Sequence, residues 1–459
     1  MSLDRTEKSS LSFNDFASKS TLHGLNQTCN AETSIIKRIA WTLLLLSSVA
    51  VYIFFVATSV LKYYSYNTNT KITETSVKEL EFPAVSICQQ NQFSETLVQN
   101  NTLLRYWLEY LELNPLTSLT VEERENATNV LQTLTLWQAV TIPHPSFITK
   151  CKFEGKPFDC AEYFTIETTE IGMCVTFMRR DVRDRVGPLK TKTPGFSFGL
   201  DLWIDINTSD NYITSSSGNG VKVIVHDHNV YPRINEHSLS IEPGTEAYIA
   251  VRKRKENNLK PPYSKIDCVK RRNSGLVHPS SLKELSYTYE VCMGDCVFEN
   301  ILKSCSCDLY ETTPSCTLAD YYFCVRPNMT HLSKCDYLYP CKPTLYETRL
   351  TTLSLPTPMV LAANRQENGT YTTTEDIVKN MINLKVYYPS LKVKKVNQIA
   401  SYTFDELISH IGGQLGLFLG ASLLTMCEFL DYLCRICHQK CLSCKDKIKR
   451  IWKNQVNPV

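Results

Sequence analysis

The sequence predicts an α+β membrane protein in which two spanning helices flank one large, disulfide-rich external domain. Three observations predict it. Two apolar runs of 23 residues, Ile39–Leu61 and Ile411–Leu433, would each cover roughly 35 Å as a helix, a bilayer thickness with some tilt. Of 19 cysteines, 13 lie between those runs at uneven spacing, the pattern of a disulfide framework in an oxidising compartment. Asn100, Asn126, Asn207, Asn328 and Asn368 each head an Asn-x-Ser/Thr sequon in the same stretch, so a glycoprotein is expected. The formal charge of the 459 residues is only +3, which argues against a nucleic-acid partner. No nucleophile–base or metal-ligand motif rises above chance, so the chain is expected to be no enzyme, with no metal and no cofactor.

Residues 1–38 are polar, lack a secretory signal pattern and read as a cytoplasmic segment. They contain Phe16-Ala-Ser-Lys-Ser-Thr-Leu-His-Gly-Leu25, in which His23 by itself reads as a solvated histidine. Residues 39–61 follow as the first transmembrane helix, with Lys37 and Arg38 just before them. Seven basic residues from Arg435 to Lys453 stand against Asp446 alone after the second run. Positive charge favours the cytoplasmic side, so both termini, including the tail 434–459, are expected there, in a plasma-membrane protein.

The external domain is expected to run from 62 to 403. Phe82–Cys88 reads as a buried strand with Pro83 near its start, where a missing N–H is tolerated. Within 97–140, Leu103, Leu104, Trp107, Leu108 and Leu111 recur at helical spacing. Phe198–Val251 alternates strands and turns, with Gly218-Asn-Gly220 as a hairpin signal. Cys268–Cys341 is a small segment that its own core could hardly hold. The alternative for Cys305-Ser-Cys307 is a zinc ligand pair. Ile382, Leu384 and Val386 alternate along 380–403, a strand returning to the membrane. Cys427, Cys434, Cys437, Cys441 and Cys444 share one helical face, as reduced thiols, palmitoylation sites or metal ligands.

The span within 404–433 is unusual for its glycine. Gly412, Gly416 and Gly420 recur every four residues, with Gly413 beside them, a face that lets helices approach closely in lipid. A break at Gly420-Ala421-Ser422 would expose carbonyls that lipid cannot satisfy, so they must meet protein or a water-filled path. Glu428 and Asp431 lie below them, and charge inside a membrane marks function. The span reads as a pore-lining helix.

Ile411-Gly-Gly-Gln-Leu-Gly-Leu-Phe-Leu-Gly-Ala-Ser422 resembles the second transmembrane helix of the degenerin/epithelial sodium channel superfamily. Phe16–Leu25 is similar to the amino-terminal segment of its acid-sensing ion channels, and Phe82-Pro-Ala-Val to its palm strand. The resemblance implies an amiloride-sensitive sodium channel, trimeric from identical or paralogous subunits, with palm, finger, β-ball, knuckle and a thumb at 268–345. It implies that Gly420, Ala421 and Ser422 form the selectivity filter and that Ser409, His410 and Gly413 stand at the pore mouth and gate. Glu428 and Asp431 would line the inner mouth, His23 and Gly24 would influence gating, and Tyr66 and Tyr263 would couple thumb to membrane. It also implies the disulfides Cys88–Cys174, Cys151–Cys160, Cys268–Cys341, Cys296–Cys335, Cys305–Cys324 and Cys307–Cys316. Tyr337 replaces a cysteine of acid-sensing channels, which leaves Cys292 without a partner.

Acid sensing needs titratable groups placed to titrate near working pH, such as paired carboxylates or histidines. Here the positions of those groups align with Asn67, Thr68, Thr73, Asn229, Val230, Arg326 and Thr330, and the outer aspartate with His410. The superfamily also holds channels opened by short neuropeptides, so an extracellular peptide is the expected trigger. Proton gating and a non-conducting subunit are the alternatives.

Overall fold

A computed structural model describes residues 13–30, 33–90, 93–114, 116–135, 147–169, 172–207, 211–212, 218–232, 234–264, 267–269, 296, 299–308, 314–329, 339–355 and 374–456. The chain divides into two units, Met1–Asn69 with Ile399–Val459, and Thr70–Gln398.

In the second unit the long strand Thr245–Asn257 organises the larger sheet. It pairs antiparallel with Thr344–Ser354 and runs parallel first to Met381–Tyr387 and then to Lys392–Ala400. Leu200–Asp205 joins antiparallel to Met381–Tyr387, with Leu202 opposite Leu384. Alternate residues of these strands face one side and are buried: Leu200, Leu202, Ile204, Ala247, Ile249, Ile382, Leu384 and Val386. They share one core with Val85, Ile87, Phe177 and Val223 of a smaller antiparallel sheet. That sheet orders its strands as Leu239–Ile241, Val221–His226, Ala84–Gln89, Gly172–Phe177 and Phe164–Thr169. A second core joins the helices Thr102–Leu113 and Val121–Leu131 to Ile301, Leu318, Tyr322 and Val325. Asn101 caps the first helix through Leu104 N at 3.0 Å, and a Thr120/Glu123 capping box starts the second.

Disulfides join Cys88 to Cys174, Cys151 to Cys160, Cys305 to Cys324 and Cys307 to Cys316. Oxidised sulfurs offer no thiolate, so the zinc alternative at Cys305-Ser-Cys307 is set aside. Cys296 and Cys341 are also disulfide-bonded. Cys292, Cys335, Tyr337 and Asn368 lie outside the described residues.

Two local expectations are corrected. Gly218-Asn-Gly220 does not close a tight hairpin, because Val221–His226 pairs with Ala84–Gln89 and Leu239–Ile241. Gly220 answers a different need: a Cβ there would fall 2.2 Å from the Ile241 carbonyl oxygen, so the neighbouring backbone requires glycine. The stretch 380–403 is two strands, since Pro389 stands between Met381–Tyr387 and Lys392–Ala400 and cannot donate to a ladder.

The first unit holds the apolar helix Ile35–Tyr64, 30 residues long, and two short helices before it, Phe13–Lys19 and Leu25–Cys29. Its second apolar stretch is two helices, Phe404–Leu419 and Leu423–Val456, bent by 79° at the break between them. A Thr403/Glu406 capping box starts the first of these, with Thr403 N donating to Glu406 Oε2 at 2.7 Å.

Candidate pore site

The break falls at Gly420-Ala421-Ser422. Gly420 has φ 56° and ψ 23°, the left-handed region that a residue without Cβ enters freely. Leaving the helix frees backbone groups that lipid cannot satisfy. Local partners take up several: Gly416 O accepts from Gly420 N at 3.0 Å, and Thr425 Oγ1 accepts from Ser422 N at 3.1 Å. The carbonyl of Gly420 lies 3.0 Å from His23 Nδ1, which comes from the far end of the chain.

The segment carrying His23 is no free tail. Phe16 stacks on Tyr432 at 4.3 Å between centroids and meets Phe429 edge-on at 4.9 Å. Thr21 Oγ1 lies 2.6 Å from Thr425 Oγ1, and Thr21 N donates to Glu428 Oε2 at 3.2 Å. Gly24 turns this segment at φ 86°, and a Cβ there would touch the Trp41 ring at 3.6 Å. His23 is exposed, as a solvated histidine would be, but its ring has a partner in the Gly420 carbonyl. Thr425 and Tyr432 are not singled out by the sequence, and Phe16 and Thr21 enter it only as members of the Phe16–Leu25 motif.

The two carboxylates differ in company. Asp431 Oδ2 pairs with Arg435 Nη2 at 2.8 Å, one turn on. Glu428 accepts only the neutral donors of Thr21, so its charge has no counterion among the described residues. A Cβ added at Gly412, Gly413 or Gly416 would meet nothing within 4 Å, which leaves that glycine face uncovered in one chain. Phe418 stacks on Phe55 of the first span at 5.5 Å.

At the other end of the span, Tyr402 O–H lies 2.8 Å from His410 Nδ1, and Lys62 Nζ sits 5.0 Å over the Tyr402 ring. Ser409 is exposed beside it. Tyr66, at φ 49°, packs its ring 6.1 Å from both Tyr63 and Tyr64. In the other unit, Tyr263 N donates to Lys260 O at 3.1 Å, and Arg326 Nη1 binds Glu112 Oε1 at 3.1 Å. Tyr322 O–H donates to the same Glu112 oxygen at 2.8 Å, and that side chain is 4% exposed. Among the described residues no group of three or more His, Cys, Asp or Glu is placed to hold a metal ion.

The family model described as amiloride-sensitive sodium channel matches residues 16–432. Acid-sensing ion channel 1 of Gallus gallus is 26% identical over 96% of this chain and 87% of its own. Acid-sensing ion channel 2 of Rattus norvegicus is 26% identical over 93% of this chain and 87% of its own. Among solved structures, a proton-activated chloride channel covers 86% of this chain and 97% of its own at 6% identity, with a TM-score of 0.35, too low to carry an argument.

Proposed function

The chain belongs to the amiloride-sensitive sodium channel family, and we propose that it is a sodium-selective, amiloride-blocked subunit opened by a short extracellular peptide. Members of the family are ion channels, not enzymes, and they work without a cofactor. In this reading three subunits, identical or paralogous, surround an axis with both termini in the cytoplasm. Gly420, Ala421 and Ser422 line the narrowest part, where backbone oxygens replace part of an ion's hydration shell and ring width selects among monovalent cations. Small side chains are needed there because larger ones would fill the passage.

The observation that carries the reading is the interruption of an apolar span at three small residues, with carbonyls freed inside it. Glu428, with no counterion among the described residues, adds negative potential below the belt and would concentrate cations there. His23 and Gly24 hold the belt from beneath, where a shift would reach Gly420 directly. Ser409, His410 and Gly413 would form the outer mouth and gate, and Tyr66 and Tyr263 the coupling to the external domain. The peptide trigger is supported by Arg326, which sets an opposite charge against Glu112 where acid sensing needs like charges.

The second reading, proton gating, is favoured by the relatives' names. The test is current from cells expressing this chain alone. Amiloride-blocked sodium current evoked by amidated peptides supports the proposal. A large inward current on stepping from about pH 7.5 to about pH 5.5 without peptide would replace the peptide by the proton. Silence under every ligand from a chain present at the surface would leave the role of a partner subunit.

A further inference from the structure

Four side chains form a buried file that runs obliquely across the smaller sheet, with Ser86 directly opposite Thr176 and the two ends each displaced by two residues. Glu167 is 7% exposed, Thr176 and Ser86 are 0%, and His226 is 6%. They sit on adjacent strands, in the order Phe164–Thr169, Gly172–Phe177, Ala84–Gln89 and Val221–His226. Glu167 Oε2 lies 2.9 Å from Thr176 Oγ1, which lies 2.8 Å from Ser86 Oγ, which lies 2.8 Å from His226 Nε2. His226 Nδ1 closes the file 2.9 Å from the Asp227 carbonyl oxygen. Among the described residues neither hydroxyl has a further hydrogen-bond partner.

Hydrogen counting limits what this file can be. A carbonyl oxygen only accepts, so Nδ1 carries a hydrogen. Each hydroxyl owns one hydrogen and donates it in one direction only. Three links join the four side chains, and the hydroxyls supply two hydrogens, so the third must come from one end. Two arrangements satisfy every link. In one, a neutral Glu167 acid donates to Thr176, Thr176 to Ser86, and Ser86 to Nε2 of a neutral imidazole. In the other, imidazolium Nε2–H donates to Ser86, Ser86 to Thr176, and Thr176 to the Glu167 carboxylate. Between them an O–H bond at Glu167 breaks, an N–H bond at His226 forms, and both hydroxyls reverse. Remove that proton and one link is lost inside the sheet, which is costly where no water can replace it.

We propose that Glu167 and His226 are the two ends of a single-proton binding site, wired through Thr176 and Ser86, that makes this sheet sensitive to the pH around it. The surroundings decide where the proton rests. Burial pushes the Glu167 carboxyl up to about 7 against the opposing Arg179 guanidinium and the Thr176 hydrogen bond, with Asp181 adding to the rise. Burial pushes His226 down to about 4, with Asp227 opposing and His228 assisting. Arg179 is itself held by Asp181 at 2.7 Å, and His228 Nε2 faces Glu81 at 3.6 Å. The proton therefore rests on Glu167, and both ends are uncharged.

The direction with pH follows. Glu167 titrates higher in the folded sheet than in an open chain, so its stabilisation is complete below about 4.5 and fades as pH rises towards 7. His226 titrates lower than in an open chain, so its contribution is complete above about 6.5 and is lost progressively as pH falls towards 4. Between about 4.5 and 6.5 the two trends oppose each other, so the net loosening is confined to the approach to neutrality, where Glu167 alone titrates. This inference does not depend on which ligand opens the channel.

The test is thermal unfolding of the full-length protein in detergent between about pH 5.5 and about pH 8.5, a range centred on the Glu167 transition. The wild-type midpoint should fall as pH rises through neutrality. Glu167→Gln, uncharged throughout, should lose that fall. Thr176→Val removes the donor that favours the carboxylate and should move the fall to higher pH. An infrared difference spectrum should show a protonated carboxyl band that bleaches over the same range and is absent from Glu167→Gln. Identical pH profiles for wild type and Glu167→Gln, or no such band, overturn the proposal. If Glu167→Gln does not fold, an unshifted profile for Thr176→Val overturns it equally.

Discussion

Replacing Gly420 with alanine isolates the contact between the two ends of the chain. The added Cβ would lie 1.8 Å from His23 Nδ1 and 2.6 Å from its Cγ. A side-chain ring can swing away, so the clash is relieved at the expense of the 3.0 Å approach to Gly420 O. Losing one hydrogen bond costs about 1 kcal/mol. The left-handed conformation adds about 1–2 kcal/mol for a residue with a Cβ. The sum of about 2–3 kcal/mol lowers the population of this arrangement roughly 30- to 140-fold. In a His23→Ala background the ring and its hydrogen bond are already gone, so the same substitution should cost only the backbone part. The double-mutant cycle should therefore show a coupling of about 1 kcal/mol. The assay is the ligand concentration for half-maximal current, with surface delivery measured alongside. Strictly additive effects of Gly420→Ala and His23→Ala would refute the contact.

Ser409→Trp should hold the outer mouth open and give ligand-independent, amiloride-blocked current; a surface channel that still waits for ligand counts against the gate assignment. Arg326→Ala strips the counterion from Glu112, whose side chain is 4% exposed, and should cost about 2 kcal/mol in thermal unfolding. Adding Glu112→Gln to it should restore part of that loss, and an unchanged midpoint for Arg326→Ala alone would show the pair to be inert. Asn328 donates its side-chain N–H to Cys324 O at 2.9 Å and is only half-exposed. Asn126 stands exposed on its helix, so glycan mapping should find Asn126 occupied and Asn328 bare. The reverse occupancy would contradict the side-chain geometry.

What could be read without coordinates was whatever a local rule imposes. Ile39–Leu61 announced a helix because lipid leaves an apolar backbone no alternative, and the helix runs Ile35–Tyr64. Ile382, Leu384 and Val386 announced a strand because alternate side chains must share a face. Gly220 misled because glycine serves both tight turns and close backbone approach, and the letter is the same for each. Partners far along the chain left no trace. His23 and Gly420 are 397 residues apart, and Arg326 and Glu112 are 214 apart. Glu167 stood unread in a short strand because only the sheet order places Thr176, Ser86 and His226 in one line with it.

The helix Leu423–Val456 starts at the small-residue break and continues for 34 residues without interruption. At 1.5 Å per residue that is a rod about 50 Å long. A rod of this kind is a lever: a tilt of about 5° at its base carries the far end by roughly 4 Å, given that length. The relation holds in both directions. A partner that clamps the basic end of the tail would therefore act on the break at Gly420-Ala421-Ser422 from a distance.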